Sequence, residues 1–68
     1  MNIKINHQFY EVIGQVTVLQ LMEELFPNRK SFGMAVAINQ EIVDKTLWSS
    51  RVIQENDSLT LIKATQGG

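Results

Sequence analysis

Two glycines close the sequence, and their type and position predict chemistry more directly than any other pair of residues. Gly67 and Gly68 have no side chains, so the reacting group they offer is the terminal carboxylate of Gly68. Their backbone is thin enough to enter a narrow channel, and glycine is costly to order within a fold. Thr65 and Gln66 precede the pair. We therefore expect residues 65–68 to form a flexible tail for a partner's active site, with an ordinary frayed terminus as the alternative.

The composition predicts one small globular domain. The chain has 68 residues, of which 44% are hydrophobic and 19% charged, which is enough for one modest core. Its net charge is −1, and its six Lys and Arg residues are spread along the chain, so we expect no binding to nucleic acid. No apolar run has the length of a membrane span and the start does not resemble a signal peptide, so we expect a cytoplasmic protein that does not bind membranes. Cysteine is absent, which excludes disulfides and a thiolate nucleophile.

The first half of the sequence predicts a β-hairpin followed by a helix. Residues 2–5 alternate polar and apolar side chains, and residues 9–13 are aromatic and β-branched, with a short polar break between the two runs. Thr17 and Gln20 have the spacing of a capping box, which predicts a helix beginning there. Pro27 should end this helix. Its apolar stripe consists of Val18, Leu21, Met22 and Leu25.

The second half predicts further strands around an irregular segment. Residues 34–38 are continuously apolar, as a strand buried on both faces requires, and residues 41–43 can form a short strand after a turn. Residues 44–53 show no sustained period. We therefore expect Trp48, together with Ile53, to close an edge of the core beneath an irregular loop.

The last predicted strand, residues 58–64, leads directly into the tail. Leu59 and Leu61 should face the helix, and the alternate side chains should face away from it. An enzyme that holds the tail must also contact the strand feeding it. The predicted docking face therefore consists of Thr60, Ile62 and Ala64. The predicted organisation is a domain of residues 1–64 followed by a tail of residues 65–68.

The order of the elements predicts an α+β fold, in which one helix packs across one face of a mixed sheet of four to five strands. Residues 35–43, then Trp48 and residues 55–59, and finally the pair Gly67–Gly68, resemble the ThiS family of sulfur carrier proteins of thiamin thiazole synthesis. These are small ubiquitin-like β-grasp proteins, and the likeness covers nearly the whole chain. The β-grasp fold implies that the first and last strands are central neighbours. The family commonly has glycine where Asn56 stands, and asparagine tolerates the left-handed backbone that such a position needs.

The resemblance implies that the chain is a protein cosubstrate and not an enzyme. In the family, a ThiF-like adenylyltransferase uses ATP and magnesium to convert the terminal carboxylate to an acyl-adenylate. Sulfur from a persulfide donor enzyme displaces AMP, and a ThiG-like thiazole synthase consumes the resulting thiocarboxylate. Activation is needed because a carboxylate with a pKa of about 3.5 is ionised at neutral pH and is a poor electrophile. Gly68 would bear the reacting carboxyl and Gly67 would let the backbone pass close to the nucleotide, with no cofactor or metal held by the chain itself.

Three alternatives stay open at this point. A molybdopterin-synthase sulfur carrier shares the fold, the tail and the chemistry, although the chain length and residues 38–43 favour the thiazole branch. A ubiquitin-like modifier or docking module would instead be joined to lysines through Gly68, or would only bind partners. A small enzyme has no support in the sequence, because it contains no nucleophile–base pair, metal cluster or phosphate-binding glycine loop. His7, the single histidine, is expected to lie in a turn without a functional role.

Overall fold

A five-stranded mixed sheet carries the helix on one face. The computed structural model describes residues 1–27 and 33–63. Within them the strand order is β2-β1-β5-β3-β4, with β1 and β5 parallel and the other neighbours antiparallel. This arrangement confirms the predicted α+β fold and the predicted pairing of the first and last strands. The elements are β1 (Asn2–Ile5), β2 (Gln8–Glu11), α1 (Val18–Leu25), β3 (Met34–Ile38), β4 (Glu41–Val43), a short 3-10 helix (Lys45–Leu47) and β5 (Ser58–Lys63).

The first hairpin closes through a two-residue turn. Asn6 and His7 have φ angles of 49° and 72°, the left-handed values that match the twist of a tight hairpin. Pairing therefore resumes at once, with Gln8 opposite Ile5. The strand predicted over residues 9–13 instead spans Gln8–Glu11. The prediction was shifted because it assumed a turn longer than two residues. His7 lies in the turn, as predicted.

Helix α1 begins and ends at the predicted residues. The Thr17 hydroxyl accepts the Gln20 N–H at 3.1 Å, and the Gln20 side chain accepts the Thr17 N–H at 2.9 Å, which completes the predicted capping box. The helix ends at Leu25, with Phe26 as its C-cap directly before Pro27. Its buried residues are Val18, Leu21 and Met22.

The irregular segment of residues 44–53 supplies a hydrogen-bond acceptor to the N-terminal end of α1. The main-chain N–H of Leu19, which has no partner within the first helical turn, donates to the Trp48 carbonyl at 3.0 Å. Trp48 is 2% exposed, and its indole N–H donates to the Val43 carbonyl at 3.2 Å. Ile53 is buried in the same core. The prediction that Trp48 and Ile53 close the core is therefore confirmed.

A buried carboxylate joins the start of β5 to the β3–β4 turn. Asp57 is 8% exposed and accepts the Gln54 N–H at 2.8 Å and the Asn39 side-chain amide at 3.1 Å. The Asn39 side-chain oxygen in turn accepts the Ser58 N–H at 3.1 Å. Asn56 has a φ of 69°, the left-handed conformation expected for it. This network holds the start of β5, the strand that leads to the tail, against the β3–β4 turn. The sequence analysis predicted only a tight turn at Asp57 and did not predict the network.

Replacing Asp57 with alanine should lower the free energy of unfolding by about 2–3 kcal/mol, because the variant leaves the Gln54 N–H and the Asn39 amide without their acceptor. Urea unfolding followed by Trp48 fluorescence measures the change. Asp57→Asn is the control, since it keeps one acceptor oxygen and should lose less. A loss below about 0.5 kcal/mol for Asp57→Ala, the range of ordinary surface changes, would contradict a stabilising role for the network.

Candidate functional site

Strand β5 has one face in the core and one face in solvent. Leu59 packs in the core with helix α1, and Leu61, on the same face, is partly buried against that core. Thr60 and Ile62 lie on the opposite face, where Ile62 is 49% exposed. This alternation is the one predicted from the sequence, and the role of these residues in docking stays a prediction. Ala64, the third predicted docking residue, lies outside the described residues.

Neighbouring strands extend this face into an apolar surface. Ala37 on β3 lies opposite Thr60 on one side and Ile42 of β4 on the other, and Ala35 lies opposite Ile62. Directly opposed residues share a face of a sheet, so these five side chains lie on the face away from the helix. Ile42 is 74% exposed. We call Ala35, Ala37, Ile42, Thr60 and Ile62 the open-face patch. Ile42 and Ile62 provide most of its exposed apolar surface, since Ala37 is only 7% exposed.

The sequence analysis did not assign Ala35, Ala37 or Ile42 to this surface, and Ile42 is the most exposed of the three. The β3–β4 turn places Asn39 and Gln40 in the left-handed region, with φ angles of 51° and 74°. The two-residue turn sets Ile42 opposite Ala37, while Val43 turns into the core. The alternation of Glu41–Val43 carried this signal, because one apolar residue of a two-faced edge strand must point away from the core.

The predicted tail residues Thr65, Gln66, Gly67 and Gly68 lie outside the described residues, so their roles stay predictions. The described part of the chain ends with β5 at Lys63. Five residues separate this point from the end of the sequence, and a chain of five residues spans at most about 18 Å. An enzyme that binds the Gly68 carboxyl must therefore approach the end of β5 closely.

The single histidine lies at a groove lined by uncharged polar residues. His7 lines a groove of about 350 Å³ whose other lining residues carry only amide and hydroxyl side chains: Asn39, Gln40, Ser58 and Thr60. Within residues 1–27 and 33–63, no three His, Asp or Glu side chains converge to hold a metal ion. No helix in the same part of the chain is long and apolar enough to cross a membrane.

Charged side chains near the patch are held by local contacts. The Lys4 ammonium lies over the Phe9 ring, 5.3 Å from its centroid, on strands β1 and β2. The Thr46 N–H and then the Thr46 hydroxyl lower the pKa of Asp44, which caps the 3-10 helix after β4. Neither group is a member of the open-face patch.

Fold and site together define a β-grasp domain whose last strand presents an apolar face and is followed in the sequence, four residues later, by the pair Gly67–Gly68. The model of the ThiS family matches residues 3–68. The protein of Escherichia coli strain K12 named sulfur carrier protein ThiS is 34% identical over 68 residues, which is 100% of both chains. This chain therefore belongs to the ThiS family, as its resemblance predicted.

Two solved structures of a thiamine biosynthesis protein (ThiS) from Geobacter metallireducens share the fold. The crystal structure aligns with a TM-score of 0.84 and covers 100% of both chains. The solution structure aligns with a TM-score of 0.77 and covers 100% of this chain and 88% of its own. Each is 20% identical to this sequence, so these likenesses establish the β-grasp architecture.

Proposed function

We propose that this chain carries sulfur for thiamin biosynthesis as a thiocarboxylate on Gly68. The observation that carries the proposal is the match, over all 68 residues, to a relative named as a sulfur carrier. The glycine pair at positions 67 and 68 supports it, because the chemistry needs a carboxyl on a thin stem. The chain then acts as a cosubstrate, and the catalytic groups belong to its partners.

The proposed reaction begins with activation of the Gly68 carboxylate. A carboxylate oxygen attacks the α-phosphorus of ATP, held with magnesium by a ThiF-like adenylyltransferase, and pyrophosphate leaves. The terminal sulfur of a donor enzyme's persulfide then attacks the acyl carbon, and AMP leaves. A thiol reductant cleaves the remaining S–S bond, which frees the thiocarboxylate and leaves a disulfide. A ThiG-like thiazole synthase receives the sulfur. The chain itself binds no cofactor in this scheme.

The open-face patch is the proposed docking surface for the adenylyltransferase. Ile62 lies on the strand that feeds the tail, and Ile42 extends the apolar surface across the sheet. Removal of exposed apolar surface from water on association is a common source of binding free energy at protein interfaces. The predicted docking residues Thr60 and Ile62 thus form part of a wider proposed surface, and the role of Ala64 stays a prediction from the sequence.

The experiment that tests the proposal combines the chain with a ThiF-like enzyme, ATP and magnesium. We expect ATP–pyrophosphate exchange that depends on the chain. After addition of a persulfide donor and a thiol, intact-mass measurement should show one oxygen replaced by sulfur. Absence of exchange would overturn the proposal, and isopeptide conjugates to lysine would instead support a ubiquitin-like modifier.

A side chain at Gly67 should slow activation without unfolding the domain. In Gly67→Val, the added atoms widen the stem and restrict its backbone angles, so the adenylation rate should fall by at least about tenfold. The sequence predicts no core role for the tail, so unfolding should change by no more than about 0.5 kcal/mol. Pyrophosphate exchange and thermal unfolding measure the two effects. Activation equal to wild type would contradict a narrow channel, and a large loss of stability would show that residue 67 supports the fold.

A further inference from the structure

The hydrogen-bond ladder between β1 and β5 ends at Asn6. The Asn6 main-chain N–H donates to the Leu59 carbonyl at 2.9 Å, which continues the parallel ladder. The next acceptor is the Asn6 side chain, whose Oδ1 accepts the Leu61 N–H at 2.9 Å. The main chain turns away here, since Asn6 has a φ of 49° and β2 lies on the far side of β1. The Asn6 side-chain oxygen therefore accepts the hydrogen bond that the Asn6 main-chain carbonyl would accept in a regular parallel ladder.

Strand β5 continues beyond this point while β1 does not. β3 accompanies β5 as far as Lys63, whereas β1 pairs only with Ser58 and Leu59. The Asn39 N–H donates to the Ser58 carbonyl, so the even-numbered residues of β5 direct their main-chain groups toward β3. The odd-numbered residues of β5 direct their main-chain groups to the opposite edge, where the pairing with β1 stops after Leu59.

Three main-chain groups at this edge therefore lack a strand opposite them. They are the Leu61 carbonyl and both the N–H and the carbonyl of Lys63, since the Leu61 N–H is bound to Asn6. Within the part of the chain that the structure describes, β1 and β3 are the strands that pair with β5, and neither reaches these groups. In a parallel ladder, one residue of the neighbouring strand donates to one such carbonyl and accepts from the N–H two residues later. The spacing of the Leu61 carbonyl and the Lys63 N–H fits one residue of a parallel strand.

We propose that this edge binds an extended main-chain segment of the adenylyltransferase, running parallel to β5 in the place that β1 leaves. One residue of that segment donates to the Leu61 carbonyl and accepts from the Lys63 N–H. The inference rests on the proposed function, because the partner is the enzyme that binds the Gly68 carboxyl. Strand addition supplies affinity through main-chain hydrogen bonds and is a recurring way to bind a sheet edge.

Position favours this enzyme as the occupant of the edge. The edge belongs to the strand that ends five residues before Gly68, so the group that binds the carboxyl must lie within about 18 Å of it. The Ile62 side chain, between Leu61 and Lys63 in sequence, belongs to the open-face patch. The same partner can therefore contact the root of the tail through the patch and through the edge, which would fix the direction in which the tail leaves.

Amide hydrogen exchange tests the contact directly. In the free chain, the Leu61 amide should be protected by Asn6 and the Lys63 amide should exchange rapidly. Saturation with the adenylyltransferase, without ATP, should slow exchange at Lys63 by at least about tenfold. Unchanged exchange at Lys63 in a chain that is shown to be bound would overturn the proposal. Protection at Lys63 that rises with the concentration of this chain alone would also overturn it, because the occupant would then be a second copy.

Chemical synthesis allows a test in which a single main-chain N–H of β5 is replaced. Replacing the Lys63 amide N–H with an ester oxygen should raise the KM for the chain by about fivefold to tenfold, with kcat and melting temperature nearly unchanged, because it removes one intermolecular hydrogen bond. The same ester at Leu61 removes the bond to Asn6 and should lower the melting temperature. Lys63→Ala keeps the main-chain N–H and removes the side-chain charge, so a KM raised as far as by the ester would assign the effect to the side chain and overturn the main-chain contact.

The two failures are distinguishable in this assay. If the unmodified chain supports no pyrophosphate exchange, the proposed function fails. If the unmodified chain is activated and the Lys63 ester has the same KM, the function stands and the strand-addition proposal is overturned.

Discussion

Converting the Gly68 carboxylate to a primary amide should abolish activation of this chain. The amide keeps all 68 residues and the whole fold, but it removes the anionic oxygen that attacks ATP. We expect ATP–pyrophosphate exchange to fall to the rate measured without the chain. The free energy of unfolding should stay within about 0.5 kcal/mol of wild type, since the change touches one terminal group. Exchange assays and thermal unfolding measure the two quantities on the same synthetic sample.

Deleting Gly68 provides a second variant with a different defect. The new terminus keeps a carboxylate, but the reacting group is withdrawn by about 3.5 Å, the length of one extended residue. Reacting atoms must approach to about 3–3.5 Å, so this displacement should also abolish exchange. If the amide variant were activated as well as wild type, the terminal carboxyl would not be the reacting group. If only the deletion variant retained full activity, the position of the carboxyl along the tail would not matter.

Local signals in the sequence predicted most of the elements. The Thr17 and Gln20 capping box and Pro27 bounded the helix, because both act within one or two turns of the chain. The alternation in Ser58–Lys63 separated the buried Leu59 from the exposed Ile62 for the same reason. The β-grasp strand order came from the family resemblance, since periodicity does not determine which strands are neighbours.

Two of the features missed by the sequence analysis depend on residues that are distant along the chain. Asp57 is buried because Asn39, 18 positions away, binds its carboxylate. The Asn6 side chain ends the β1–β5 ladder by binding Leu61 across 55 positions. Contacts between distant segments decide both of these, and local composition does not record them. Ile42 differs, because β4 follows β3 through a two-residue turn and the alternation of Glu41–Val43 already contained the signal.

Introducing charge into the open-face patch should separate docking from folding. In the double variant Ile42→Asp and Ile62→Asp, two carboxylates would be buried without partners when the enzyme binds. Each should cost about 1–3 kcal/mol of binding free energy, so affinity for the adenylyltransferase should fall by at least about 30-fold. The defect should appear in KM or in a direct binding titration, with kcat at saturation less affected. Both isoleucines are exposed in the free chain, so the fold should survive.

Ile13 supplies the matched control for these substitutions. It is 93% exposed, lies beyond the end of β2 and is not part of the open-face patch. Ile13→Asp adds the same charge as either patch substitution, and it should leave binding within about twofold of wild type because surface charges contribute little at a distance. An equal loss for Ile13→Asp would show that net charge, and not the patch, controls association. Binding of the double variant at wild-type affinity would exclude the patch as the docking surface. Unfolding caused by Ile62→Asp alone would place that side chain in the core and reverse the assignment of the two faces of β5.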